Sequence, residues 1–189
     1  MPEIITDEVN RVFKVDGIIY PSATEILQEM GFIDTTWFTE QGADNGTRRH
    51  KVLQLAALDD LIESSVDIED MPFLLAFQNL METTKAVPIK ECIEERRFNS
   101  IYGYCGKPDL PVIYNGRNEI WDFKTGIKQG WHGLQIGGYL GLFDDIFYGR
   151  CIYLQPNGKF KLSTNIYGRA ERTDFLTILS AHYLKEKYK

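Results

Sequence analysis

Cysteine is scarce. The chain carries three, Cys92, Cys105 and Cys151, an odd number with no Cys-x-x-Cys spacing, which argues against a disulfide framework and a zinc ribbon. A basic excess is missing too: 21 Lys+Arg stand against 27 Asp+Glu, for a net charge of −6. Nothing global advertises a nucleic-acid binder, so an anionic substrate must be met by a local patch or by a metal. No apolar run approaches the roughly 20 residues that span a bilayer. The N-terminal "MPEIITDEVN" is acidic where a signal peptide would be basic and then apolar. No membrane association or signal-directed export is expected, and a reducing cytoplasm is the expected location. Internal repeats, low-complexity tracts and linkers are also lacking, so the 189 residues read as one domain (1–189).

What is present is a clear succession of helix and strand signals. "RVFKVDGIIYPSATEIL" reads as a hairpin turning at Asp16-Gly17, then a helix whose Ser22 and Glu25 have capping-box spacing. This N-terminal brace is expected to cover residues 1–45, and the core residues 46–189. "GTRRHKVLQLAALDDLIE", from Gly46 to about Glu63, is expected to be helical. His50, Leu53, Ala57 and Leu61 share one stripe at spacings of three and four, which turns His50 inward near the first turn. A second helix is expected from Pro72 to Thr84, with Pro88 ending the helical region.

Residues 92–125 read as three strands, "IEERRF", "GYCGKPDLPVIY" and "EIWDFKTG". A helix over "KQGWHGLQIGGYLGLF", a hairpin turning near Asn157-Gly158 and a charged helix from about Glu171 to Tyr188 complete the chain. The fold class expected is α+β, sandwich-like, with a central mixed sheet flanked by helices.

Asn115-Gly116 is among the strongest hairpin signals. If those two residues are the whole loop, Tyr114 pairs with Arg117 and Asp109 lies opposite Asp122. Residues two apart share a strand face, so Asp122 and Lys124 point together while Trp121 and Phe123 point to the other, core face. Cross-strand Cβ atoms are about 4.5–5.5 Å apart, and like charges there destabilise a sheet. A hard divalent cation is a natural compensator, with Lys124 a partial one. The competing reading is a surface ion pair on a solvated strand face, since Asp-x-Lys by itself is a weak signal.

Glu95 on the preceding strand, Pro108-Asp109 and Asp122-x-Lys124 together resemble the signature of the PD-(D/E)XK nuclease superfamily. "PSATEIL", "GTRRH", Glu95, "GYCGKPD", "DFKTG" and "LQIGGY" follow the order of its RecB-type exonuclease branch, which includes phage and mitochondrial exonucleases. The resemblance covers about Pro21 to Tyr139. It implies a restriction-endonuclease-like core and metal ligation by His50, Asp109, Asp122 and the carbonyl of Phe123. Glu95 would assist through water, Lys124 would act on the attacking water, and Gln135 and Tyr139 match the Gln-x-x-x-Tyr helix motif. The implied cofactor is Mg²⁺ or Mn²⁺. The implied partner is DNA, single-stranded or with free ends, and any helicase or recombination partner would be a separate chain. Relatives that carry an iron–sulfur cluster use four cysteines, so no cluster is expected here.

Single residues also admit plainer roles. A lone histidine on an apolar helix face is more often a satisfied core residue than a ligand, and Trp131, Gln135 and Tyr139, recurring every four positions, form a core stripe as readily as a motif. Arg48, Arg49 and Lys51 either contact phosphate or belong to a solvated face. The functional expectation is a metal-dependent deoxyribonuclease acting as an exonuclease. The alternatives are a structure- or site-selective endonuclease and a catalytically silent binding module.

Overall fold

The computed structural model describes residues 4–7, 12–36, 39–146 and 148–189. The chain opens with three short antiparallel strands, β1 (Ile4–Asp7), β2 (Val12–Val15) and β3 (Ile18–Tyr20). β2 and β3 turn at Asp16-Gly17, both at positive φ, as the sequence signal required. Helix α1 (Ala23–Glu29) follows with the expected capping box: Ser22 Oγ accepts from the Glu25 N–H, and Glu25 Oε2 accepts from the Ser22 N–H.

Helix α2 (Glu40–Ala57) starts six residues before Gly46, because the Thr39 hydroxyl accepts the Gly42 N–H and caps it. The expected boundary at residue 45 therefore falls inside this helix, and His50 sits in its middle. α2 also stops earlier than expected: Asp59 takes a left-handed φ of 60°, which carries Leu61 off the stripe that Leu53 and Ala57 continue. Helix α3 (Met71–Thr84) begins with Pro72 in its first turn and ends at a left-handed Lys85.

Strands β4 (Val87–Pro88), β7 (Leu110–Tyr114), β8 (Arg117–Lys124), β9 (Tyr148–Leu154) and β10 (Phe160–Leu162) form the central sheet in the order β10-β9-β8-β7-β4. Only β8 and β9 run parallel, so the sheet is mixed. Pro88 sits on edge strand β4, where its missing donor costs least. The stretch expected as a single first strand is instead a 3-10 turn, a left-handed Glu94 and a short strand β5 (Arg97–Asn99). β5 pairs with β6 (Tyr104–Gly106) as a separate ribbon.

Helices α4 (His132–Leu140) and α5 (Arg169–Lys187) complete the fold, a mixed α+β arrangement with helices on both faces of the sheet. On one face Ile120 packs with Ala23, Ile136, Leu140, Phe175 and Leu179 from α1, α4 and α5. On the other, Trp121, Phe123 and Ile152 pack with Leu53, Phe73, Phe77 and Leu80 from α2 and α3. Alternation along β8 thus aims Trp121 and Phe123 at α2 and α3, and Asp122 and Lys124 toward α4. That face is covered, so the solvated-face reading of Asp122 fails: the residue is 2% exposed.

Among the described residues no helix is long and apolar enough to cross a membrane. α4 lies close to α5 because Gly137 has no side chain; a Cβ there would stand 2.1 Å from the Glu171 carbonyl oxygen. Gly to Ala inside a helix ordinarily stabilises by roughly 0.5–1 kcal/mol, so the sign of this substitution is diagnostic. Gly137→Ala is expected to destabilise by about 3 kcal/mol or more, since backbone rather than a mobile side chain must yield. Thermal unfolding followed by circular dichroism will show it as a lowered Tm.

Candidate metal centre

The site is built on the β7–β8 hairpin. Asn115 and Gly116 take φ values of 50° and 72°, the backbone of a type I′ turn, whose twist matches that of the strands. Tyr114 pairs with Arg117 and Leu110 with Trp121, so one further step sets Asp109 across from Asp122, as the two-residue loop implied. Asp109 does not face Asp122 passively, because its Oδ2 accepts the Phe123 N–H at 2.7 Å, which ties the end of β7 to β8. What the structure shows of Phe123 is this donor and a ring set edge-on to His50 and Phe77.

Three ligating groups converge here from distant parts of the chain. His50 Nδ1 of α2 lies 3.1 Å from Asp109 Oδ1 and 3.7 Å from Glu94 Oε1. One ligand atom from each of these residues lies within 4.8 Å of the other two. An imidazole nitrogen with two carboxylate oxygens suits a divalent cation that tolerates mixed N and O donors, such as Mn²⁺, and leaves positions open for water and substrate oxygens. His50 is therefore no plain core histidine: a third of its side chain is exposed and its ring nitrogen faces two acids.

The glutamate in this cluster is Glu94, not the expected Glu95. Glu94 adopts φ 51°, and its N–H is shared between the Pro108 and Asp109 carbonyls. That conformation turns the carboxylate inward, where it also meets Lys107 Nζ at 2.7 Å. Glu95 points away to pair with Arg97 at 2.5 Å and is 39% exposed. The sequence predicts a continuous strand through "IEERRF", and in a strand a one-residue slip exchanges the faces of neighbouring residues. The adjacent glutamates were the visible warning of that ambiguity.

Beside the trio runs a second polar chain. Lys124 Nζ stands 2.6 Å from Asp122 Oδ2 and donates to Gln135 Oε1 at 2.6 Å. Gln135 Nε2 in turn donates to Thr24 Oγ1 of α1 and to the Tyr139 hydroxyl. Asp122 Oδ2 lacks an aligned hydrogen-bond donor despite the nearby ammonium, leaving a buried oxygen with capacity to spare. Trp131 lies under the same ammonium, 5.1 Å from ring centroid to Nζ. Gln135 and Tyr139 thus reach the polar chain, while the Tyr139 ring stays in the core. Thr24 lies within "PSATEIL" but is not singled out by the sequence, because its contact spans 111 positions.

The charges are set by burial and by one another. Burial pushes the Asp122 carboxyl up to about 6, aided by the Asp109 charge and only partly opposed by Lys124. Burial works against the Lys124 charge, yet Asp122 and Asp109 outweigh it and raise its pKa. Lys124 is therefore a cationic donor at neutral pH rather than a base. Burial would raise Asp109, but the His50 charge and hydrogen bond hold it below the usual carboxylate range. Burial likewise opposes protonation of His50, and Asp109 and Glu94 overcome it, bringing the imidazole to about 10.

A ligating imidazole must be neutral, so a cation captured by His50 displaces that proton. Mn²⁺ binding at pH 7.5 is accordingly expected to release about one proton per ion and to tighten about tenfold per pH unit. Calorimetry in buffers of different ionisation enthalpy measures the release. Binding without it would remove His50 from the ligand set.

Arg48 and Arg49, expected at the substrate, are used elsewhere. Arg48 Nε and Arg49 Nε clamp the two oxygens of Asp70 at 2.5 and 3.1 Å, and Arg49 stacks on Phe73. Asp70, 1% exposed at the start of α3, requires both cations, so the pair fastens α2 to α3. No protein-family model matches the chain, and no curated protein matches its sequence.

Proposed function

We propose that the chain is a Mg²⁺- or Mn²⁺-dependent nuclease of the PD-(D/E)XK type, hydrolysing phosphodiester bonds of DNA as an exonuclease on single-stranded or frayed ends. One observation carries the reading: the His50–Glu94–Asp109 trio adjoins the Asp122–Lys124 pair through the β7–β8 hairpin, which carries Asp109, Asp122 and Lys124. An imidazole, three carboxylates and a lysine in one place answer the needs of phosphodiester hydrolysis, which requires charge neutralisation and a stabilised leaving oxyanion. The restriction-endonuclease-like core expected from the motif order is part of this proposal.

In this scheme His50, Glu94 and Asp109 would hold the cation, and Asp122, ion-paired with Lys124, would complete the acidic wall. A divalent ion held by these residues would supply a more acidic bound water and draw charge from the scissile phosphate. Lys124 keeps its proton and directs an N–H toward the phosphoryl oxygens, where negative charge grows. Gln135, anchored to Thr24 and Tyr139, fixes the Lys124 rotamer. Lys107, already against Glu94, adds a cation beside the cluster.

The test is a panel of end-labelled single-stranded, duplex and circular DNA incubated with Mg²⁺, Mn²⁺ or EDTA. Cleavage of linear but not circular DNA that EDTA abolishes supports the exonuclease. Cleavage of circles moves the assignment to an endonuclease, and metal-independent binding without cleavage to a silent module.

A further inference from the structure

A second cluster of metal-ligating groups lies where the C-terminal ends of α1 and α5 meet. His182 and Glu186 stand one turn apart on α5, and Glu29 is the last residue of α1. Their ligand atoms lie within 4.8 Å of one another. We propose that Glu29, His182 and Glu186 bind a transition-metal cation of the Zn²⁺ class, tying α1 to α5.

His182 supplies the observation that acidic side chains alone could not. It is 4% exposed, and its buried Nδ1 has no hydrogen-bond partner, although Glu29 Oε2 stands 3.3 Å away. A buried ring nitrogen left in that state is costly. A cation on Nδ1 satisfies it and neutralises the two carboxylates together. In tetrahedral Zn²⁺ coordination at about 2.0–2.1 Å, ligand atoms stand about 3.4 Å apart. The His182–Glu29 separation already matches that spacing, and the Glu186 carboxylate lies within 4.8 Å of both.

The surroundings favour a cation. Both helices end here, and the partial negative charge of helix C-termini attracts positive ions. The three residues line a surface cleft of about 300 Å³, with Tyr20 and Tyr183 on its walls, which gives solvent access to an open fourth coordination position. Lys189 now donates to Glu186 and Lys185 to the Glu29 carbonyl. Lys189 is largely exposed, so it can leave without unburying anything. Nitrogen donation from His182 separates this site from one made for Mg²⁺, which prefers oxygen and retains its waters.

Zn²⁺ titration of the EDTA-stripped full chain tests the proposal, with calorimetry for stoichiometry and thermal unfolding as a second readout. Glu29 and Glu186 are both exposed, so Glu29→Gln/Glu186→Gln removes the site without touching the core. Wild type is expected to bind one Zn²⁺ more than this double variant. His50→Ala, which disables the other trio, should keep that equivalent and its Zn²⁺-induced rise in Tm. Co²⁺ bound to His50→Ala should show the visible absorption of a four-coordinate ion, and the double variant His50→Ala/His182→Asn should lose it. Equal Zn²⁺ stoichiometry in wild type and the double variant, or loss of all Zn²⁺ binding in His50→Ala, overturns the proposal. Neither result depends on DNA cleavage, so the nuclease reading stands or falls separately.

Discussion

Lys124→Ala is expected to lower metal-dependent DNA cleavage by about a thousandfold, the scale seen when a preorganised donor to a developing oxyanion is removed. An ammonium has three N–H donors. In the structure one goes to Gln135 Oε1 at 2.6 Å, while Asp122 Oδ2, also 2.6 Å away, is an ion-pair contact without hydrogen-bond alignment. That leaves a donor for a phosphoryl oxygen, on a side chain held by two contacts and by the Trp131 face. Since its neighbours raise the Lys124 pKa, the charge persists to high pH. The Lys124 contribution should therefore not titrate away between pH 7 and 9.

A lost ammonium also strips the buried Asp122 carboxylate of its cation, and breaking a buried pair costs about 3–5 kcal/mol. Stability and activity could then fall together. The double variant Lys124→Ala/Asp122→Asn separates them, because it removes both charges and should recover most of the lost Tm while remaining inactive. Lys124→Arg gives the complementary control. It preserves the charge but substitutes a planar fork for a point donor, and should fold normally with cleavage reduced at least about tenfold. Wild-type turnover in any of these folded variants would dismiss Lys124 from the reaction.

Much of this geometry could be read from the sequence, wherever the signal was local. Asn115-Gly116 favours a two-residue type I′ loop, and with that loop the register runs from Tyr114–Arg117 to Leu110–Trp121 and brings Asp109 to Asp122. Ser22 and Glu25 cap α1 for the same reason, with both partners three residues apart. Errors arose where the deciding partner was remote or where a single backbone angle intervened. Glu94 replaces Glu95 because one left-handed residue reverses the faces. Arg48 and Arg49 read as free cations because Asp70, which holds them, is more than 20 positions away. The expected start of α2 at Gly46 lies six residues inside the helix, because the Thr39 cap sets the true start at Glu40. The β5–β6 ribbon was merged into its neighbours because three-residue strands carry too little alternation to be seen.

Asp122→Asn should make the metal-free protein melt no lower than wild type at pH 8, an unusual result for a change at a residue 2% exposed. The folded pKa of Asp122 is about 6, above the unfolded value of about 3.9. Between those values the native state binds the extra proton, so wild-type stability falls as pH rises through this window, and the penalty is complete above about 6. A shift of this size corresponds to roughly 3 kcal/mol. Asparagine avoids that penalty. Opposing it is the loss of a counterion for Lys124, which still keeps Gln135 Oε1, the Trp131 face and the Asp109 charge. The penalty at Asp122 survives the attraction of Lys124, so removing the carboxylate is expected to win. A pH series isolates the cause: at pH 5 Asp122 is already mostly protonated in wild type, and the two proteins should lie closer together than at pH 8. Mn²⁺ should reverse the order. At a hundred times its dissociation constant a native-state ligand contributes about 2.7 kcal/mol, roughly 5–10 °C for a domain of this size. That gain should largely vanish in Asp122→Asn, at fixed ionic strength so that screening does not imitate binding. A variant that melts well below wild type at both pH values would show that the Asp122–Lys124 pair stabilises the fold. Equal Mn²⁺ shifts in the two proteins would take Asp122 out of the cation site and leave His50, Glu94 and Asp109 to hold it alone.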